Sequence, residues 1–65
     1  MSQPLKRAAA ILETVASSPS GLTVGAIAVA TALPTPTAHR LVRALVGLGF
    51  LDGTGRGALY RLGPR

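Results

Sequence analysis

Two arginines and the chain's single histidine lie close together in the middle of the sequence, at His39, Arg40 and Arg43. Arginine carries a permanent positive charge and a planar fork of donors that suits phosphate groups and the acceptor edges of bases. Thr35 and Thr37 place short hydroxyl groups just before them, and no acidic residue occurs between positions 35 and 48. This combination of residue types favours contact with a polyanion.

The segment from Thr35 to Leu48 predicts one amphipathic helix. At about 100° per residue, its polar and small residues share one side and its apolar residues the other. The polar side comprises Thr37, His39, Arg40, Arg43, Ala44 and Gly47, and the apolar side comprises Ala38, Leu41, Val42, Leu45, Val46 and Leu48. Thr35 is predicted to be the N-cap residue, with Pro36 at the first helical position. This polar side is typical of a helix that lies in a DNA major groove. The alternative interpretation is that it is simply the solvent-exposed face of a helix in a small helical domain.

Two further helices are predicted before this one. The first runs from about Pro4 to Ala16, because its apolar residues recur at helical spacing. The second begins after the N-cap Thr23 and ends near Thr31, with Leu22 and Ile27 as a hydrophobic staple. Its predicted inward stripe is Val24, Ile27, Ala28 and Thr31, and its outer face is Gly25, Ala26, Val29 and Ala30. The short connection through Pro34 predicts a helix-turn-helix.

The C-terminal part of the sequence predicts a β-hairpin. Its strands are Phe50–Asp52 and Ala58–Leu62, and the glycine-rich turn between them carries Arg56 near its tip. Alternation along the second strand predicts that Tyr60 and Leu62 pack on the helices while Arg61 points away. The predicted fold class is therefore mainly α with a small β-hairpin, a winged helix-turn-helix of three helices and a two-stranded wing.

Composition limits the partners and the chemistry. Residues 1–65 suffice for one small domain, and the net charge of +5 with a pI near 11.7 favours nucleic acid as the partner. Without cysteine there is neither a disulfide nor a thiolate metal site, and the cytoplasm is the simplest compartment. Lys6 and Arg7 contact phosphates or simply solubilise the start of the first helix. They do not introduce a secretory signal, since Glu13 interrupts the following apolar run.

Nothing in the sequence predicts an enzyme, a cofactor or a metal. Gly53, Gly55 and Ala58 fit the dinucleotide-binding pattern G-x-G-x-x-A, but a strand follows where that pattern requires a helix. His39 has no carboxylate three or four residues away, so it completes neither a metal site nor a catalytic triad. We expect no membrane contact and no small-molecule ligand for this segment.

Several short segments together resemble the N-terminal DNA-binding domain of the IclR family of bacterial transcription regulators. They are Leu5-Lys6-Arg7-Ala8, Ile11-Leu12, Gly21-Leu22-Thr23, Ile27-Ala28, Leu33-Pro34, Thr37-Ala38-His39-Arg40-Leu41, Leu48-Gly49-Phe50-Leu51 and Tyr60-Arg61-Leu62-Gly63-Pro64-Arg65. The resemblance implies a winged helix-turn-helix, homodimers on pseudo-palindromic operators, and a separate effector-binding domain that is not in this sequence. Because that domain would support pairing, we expect these 65 residues to be monomeric or weakly dimeric.

Four positions depart from the family pattern. Thr35 and Pro36 stand where a basic residue and a serine are common, Ala26 replaces the glutamate of a capping box, and Ala32 replaces the usual glycine of the turn. If Ala32 is left-handed, the alanine costs about 1 kcal/mol relative to glycine.

The resulting hypothesis is sequence-specific binding of double-stranded DNA by a transcription regulator. Thr35, Thr37, His39, Arg40 and Arg43 would face the major groove, Thr23, Lys6 and Arg7 would contact phosphates, and Arg56 would serve the wing. The alternative is a winged helix that binds another protein through the outer face of the second helix and does not bind DNA.

Overall fold

The computed structural model describes residues 3–53 and 57–65, and within them the chain forms three helices and a small antiparallel sheet. The elements are α1 (Gln3–Ala16), α2 (Val24–Thr31), α3 (Thr35–Gly47), β1 (Leu51–Asp52) and β2 (Arg61–Leu62). The predicted fold class is confirmed, and the predicted bounds of the first two helices agree with those observed to within one residue. Both strands are shorter than predicted.

A single apolar core holds these elements together. α1, α2, α3 and β1 each contribute to it, and its buried members are Ile11, Val15, Ile27, Val42, Leu45 and Leu51. Tyr60 and Leu22 are half-buried against this cluster. No polar or charged side chain is buried in the described part of the chain. Burial of aliphatic side chains is therefore the main force that fixes the positions of the helices.

The start of α2 forms as the sequence predicts. The Ala26 N–H donates a hydrogen bond to Thr23 Oγ1 at 3.1 Å, so Thr23 is the N-cap residue. Ile27 is buried, Val24 and Thr31 are half-buried, and the Thr31 hydroxyl donates to the Ile27 carbonyl at 2.7 Å. The inward stripe thus covers the core with its one hydroxyl satisfied.

The turn between α2 and α3 depends on a left-handed alanine. Ala32 has φ 57° and ψ 34°, which confirms the conformation that the sequence analysis considered. The Ala32 N–H donates to the Val29 carbonyl at 3.2 Å and the Leu33 N–H to the Ala28 carbonyl at 3.0 Å, the two bonds of a Schellman motif. These bonds end α2 sharply and set the direction in which α3 leaves.

α3 begins at Thr35, as predicted, but Thr35 is not its N-cap residue. Thr35 is already helical, and the N-cap residue is Pro34, whose carbonyl accepts a hydrogen bond from the Ala38 N–H at 3.0 Å. The prediction that Thr35 caps the helix is wrong, because the extended backbone of Pro34 (φ −57°, ψ 141°) already presents the first helical acceptor. Pro36 consequently occupies the second helical position, where a missing N–H still costs nothing.

The end of α3 also differs from the prediction. The helix ends at Gly47, and Leu48 is 60% exposed rather than part of the apolar side. Gly49 follows with φ 86°, a left-handed conformation that turns the chain toward β1. Leu48 therefore lies outside the helical periodicity that assigned it to the core.

The wing pairs Leu51 with Leu62 and Asp52 with Arg61. Leu51 is buried, but Leu62 is 52% exposed, so Leu62 is covered less completely than predicted. Arg61 is exposed, as predicted, and Tyr60 is half-buried.

A further strand-like pairing joins the segment before α2 to the wing. Leu22 and Tyr60 form an isolated antiparallel bridge, in which the Leu22 N–H donates to the Tyr60 carbonyl at 3.0 Å and the Tyr60 N–H to the Leu22 carbonyl at 2.7 Å. The sequence analysis did not predict this bridge. It fixes the position of the wing relative to the start of α2.

Candidate nucleic-acid interface

Arg40 and Arg43 point directly away from the core on the exposed side of α3. At about 100° per residue, Arg40, Arg43 and Gly47 all lie within about 40° of Pro36 around the helix axis, whereas the buried Leu45 lies about opposite. All four residues of this exposed group are solvent-exposed in the structure. We call Pro36, Arg40, Arg43 and Gly47 the central line of α3.

The other predicted groove residues flank this central line. His39 and Thr35 are exposed on one side of it, and Thr37 lies at the opposite edge, where it is half-buried. Sequence reasoning therefore brought five residues to one helix correctly, but Thr37 is less accessible than the other four. Its helical angle places it next to the apolar side, which accounts for the difference.

The beginning of α3 is electrostatically suited to an anion. Its first turn contains no acidic residue, and no side chain caps its free N–H groups. A helix N-terminus carries a partial positive charge, to which the fixed charges of Arg40 and Arg43 add. With 13 residues the helix is about 20 Å long, and its width matches a major groove about 12 Å across.

Thr23 stands exposed at the start of α2, which packs against α3. Its hydroxyl oxygen accepts the capping hydrogen bond from Ala26, which leaves the hydroxyl proton available as a donor. Thr23 can therefore cap its helix and contact a phosphate oxygen at the same time.

The remaining predicted contacts belong to other parts of the sequence than α3. Lys6 and Arg7 are exposed near the start of α1, as either of their two possible roles requires. Arg56 lies outside the described residues. Arg61 is exposed on the wing, where its Cγ lies 3.4 Å from the position that a Cβ on Gly21 would take.

Pro36 is absent from the predicted DNA-contacting residues, although the resemblance places it where the family commonly has a serine. The structure places its ring at the centre of the exposed side of α3. The signal was present, because Pro36 precedes Arg40 by four residues and helical residues at that spacing share a face.

The outer face of α2 is also exposed. Its four residues are all accessible, and Val29 is 84% exposed. The face carries no charge, as the sequence analysis noted.

Comparison with known proteins assigns the family. The model of the IclR helix-turn-helix domain matches residues 4–55, which include β1 and nearly all of the three helices. The chain belongs to the IclR helix-turn-helix domain family. It is also 37% identical over 62 residues to the HTH-type transcriptional regulator TtgV of Pseudomonas putida. That match covers 95% of the chain and 24% of the length of the relative.

The family consists of DNA-binding domains of transcription regulators, not of enzymes. The chain is therefore a helix-turn-helix DNA-binding domain of a transcription regulator, which confirms the hypothesis of DNA binding. In the residues that the structure describes, no helix has the length and apolar character needed to cross a bilayer. No group of three histidine or acidic side chains gathers there in a way that could bind a metal ion.

Proposed function

We propose that this IclR-type domain binds double-stranded DNA with α3 in the major groove, so that Arg40 and Arg43 reach into it. The observation that carries this proposal is the central line of α3, which holds both arginines on the side opposite the buried Ala38 and Leu45. A helix inserted this way presents its arginines to guanine edges and phosphates while its apolar side stays in the core.

The individual roles follow from position along the helix. Arg40 is nearer the N-terminus of α3, the end that usually reaches base edges in helix-turn-helix proteins, so it contacts a guanine. Arg43 lies almost one turn further along and contacts a phosphate. Thr35 and His39 border the groove on one side and Thr37 on the other. Thr23, Lys6, Arg7 and Arg56 contact the backbone on either side of the groove.

The DNA target is a pseudo-palindromic operator bound by two copies of the domain. Two recognition helices of a pair reach half-sites about 34 Å apart, one helical turn of DNA. Residues 1–65 on their own are proposed to bind each half-site as a monomer or a weak dimer.

Paired substitutions test the two arginine roles. A bidentate arginine–guanine contact discriminates by roughly 1–3 kcal/mol, so Arg40→Ala should narrow the gap between operator and random DNA by that amount. Arg43→Ala should weaken binding to both DNAs alike. The wild-type domain should show a log–log salt slope of roughly −3 to −4.5, and Arg43→Ala should reduce its magnitude by about one. Fluorescence anisotropy on both DNAs measures these quantities.

Arg61→Ala is the matched control, because it removes the same charge from an exposed position outside α3. It should leave the ratio of operator to random affinity unchanged. Arg40→Ala could instead weaken binding to operator and random DNA equally while circular dichroism shows an intact fold. In that case Arg40 does not contact a base, and His39 or Thr37 becomes the candidate for that contact. A wild-type affinity independent of salt would contradict the phosphate contacts altogether.

A further inference from the structure

The central line of α3 begins with an apolar group. The Pro36 ring is exposed at the second helical position, one turn before Arg40. It has neither an N–H nor any other side-chain donor or acceptor, so it cannot hydrogen-bond a base edge. Where the central line meets DNA, burial of this ring is favourable against an apolar group.

The helix start does not by itself require this second proline. Pro34 already supplies the extended N-cap backbone, and its carbonyl accepts the first helical hydrogen bond from Ala38. The ring of Pro36 is not used in the core either, since the residue is exposed. Pro36 lies beside Arg40 on the side of α3 that is proposed to face DNA, so its ring is available to contact a base.

The major groove offers one apolar group to such a ring, the 5-methyl group of thymine. We propose that Pro36 is a specificity-determining residue that packs on a thymine methyl in each half-site. This inference rests on the proposed insertion of α3 into the major groove and adds to it the identity of a second base.

The spacing of the two residues predicts the spacing of the two bases. Four residues of helix correspond to about 6 Å along the axis, and base pairs are stacked about 3.4 Å apart. With α3 lying along the groove, the thymine contacted by Pro36 is about two base pairs from the guanine contacted by Arg40.

Deoxyuridine scanning isolates the methyl group. An operator duplex is selected from a random-sequence library with the wild-type domain, and each thymine is then replaced singly by deoxyuridine, which pairs identically but lacks the methyl. Burial of one methyl group corresponds to roughly a fourfold change in affinity, so one position per half-site should show about a fourfold loss by anisotropy.

Pro36→Ser should abolish the loss at that position and leave the other positions unchanged. Pro64→Ser is the matched control, because it removes an exposed proline outside α3 and should retain the roughly fourfold effect. Should the serine variant fold poorly, Pro36→Ala keeps a strong helix former and should reduce the effect below about twofold. Circular dichroism reports the fold of each variant.

Two results would overturn the inference. Either no thymine is sensitive to loss of its methyl, or the sensitive thymine responds equally in wild type and in the Pro36 variants. Both differ from failure of the proposed function, in which the wild-type domain would select no sequence from the library.

Discussion

Replacing Ala32 by glycine should stabilise the domain. Ala32 is left-handed, with φ 57° and ψ 34°, a conformation that costs a residue with a Cβ roughly 1–2 kcal/mol. Glycine removes this cost but loses about 0.5–1 kcal/mol more conformational entropy on folding. Ala32 is exposed, so its methyl group contributes little burial. The expected net gain is about 0.5–1 kcal/mol, or about 4–7 °C in melting temperature for a domain of this size.

Ala30→Gly provides the control with the same chemical change and the opposite sign. Ala30 is exposed within α2 and has ordinary helical geometry, so glycine there should cost about 0.5–1 kcal/mol. Urea unfolding followed by circular dichroism measures both variants. The assignment of strain to the turn would be refuted if Ala32→Gly lowered the free energy of unfolding, or if both variants changed it by the same amount.

Two other pairs of variants test local structure by the same unfolding measurement. Thr23→Ala should cost about 1 kcal/mol because it removes the N-cap acceptor of α2, whereas Thr35→Ala should stay within about 0.5 kcal/mol since no capping bond is lost. Equal costs would restore Thr35 as a cap. Gly53→Ala should cost about 1–3 kcal/mol, because its Cβ would lie 2.6 Å from Tyr60 Cδ1. Gly47→Ala meets nothing within 4 Å and should gain up to about 1 kcal/mol, so a loss there would contradict the open space around α3.

Local patterns in the sequence predicted most of the helical framework. The helical periodicity identified the buried side of α3, and the threonine before Val24 identified the start of α2, because both signals act within one or two turns. The exposure of Arg40 and Arg43 followed from the same periodicity. Helical periodicity did not identify Pro34 rather than Thr35 as the N-cap residue. Proline can occupy the N-cap position through its backbone alone, so no side-chain pattern in the sequence marks it.

Non-local features could not be predicted in this way. The bridge between Leu22 and Tyr60 joins one residue on each side, so it has no alternating pattern to detect. The exposure of Leu62 depends on which other elements cover β2, and the alternation within a strand does not specify them. Which exposed side chains contact DNA depends on a partner whose shape is absent from the sequence, and there the resemblance to a family carried the argument.

The bridge between Leu22 and Tyr60 also bears on how the domain folds. Its two hydrogen bonds close a loop between Leu22 and Tyr60 that contains α2, α3 and β1. Closing so long a loop has an entropic cost that must be met before its contacts form, so local helix formation should precede it. Once closed, the bridge joins the wing to the residues just before α2, and its hydrogen bonds transmit force applied to the wing to the start of α2. Opening the wing and separating α2 from α3 are therefore expected to be one cooperative event.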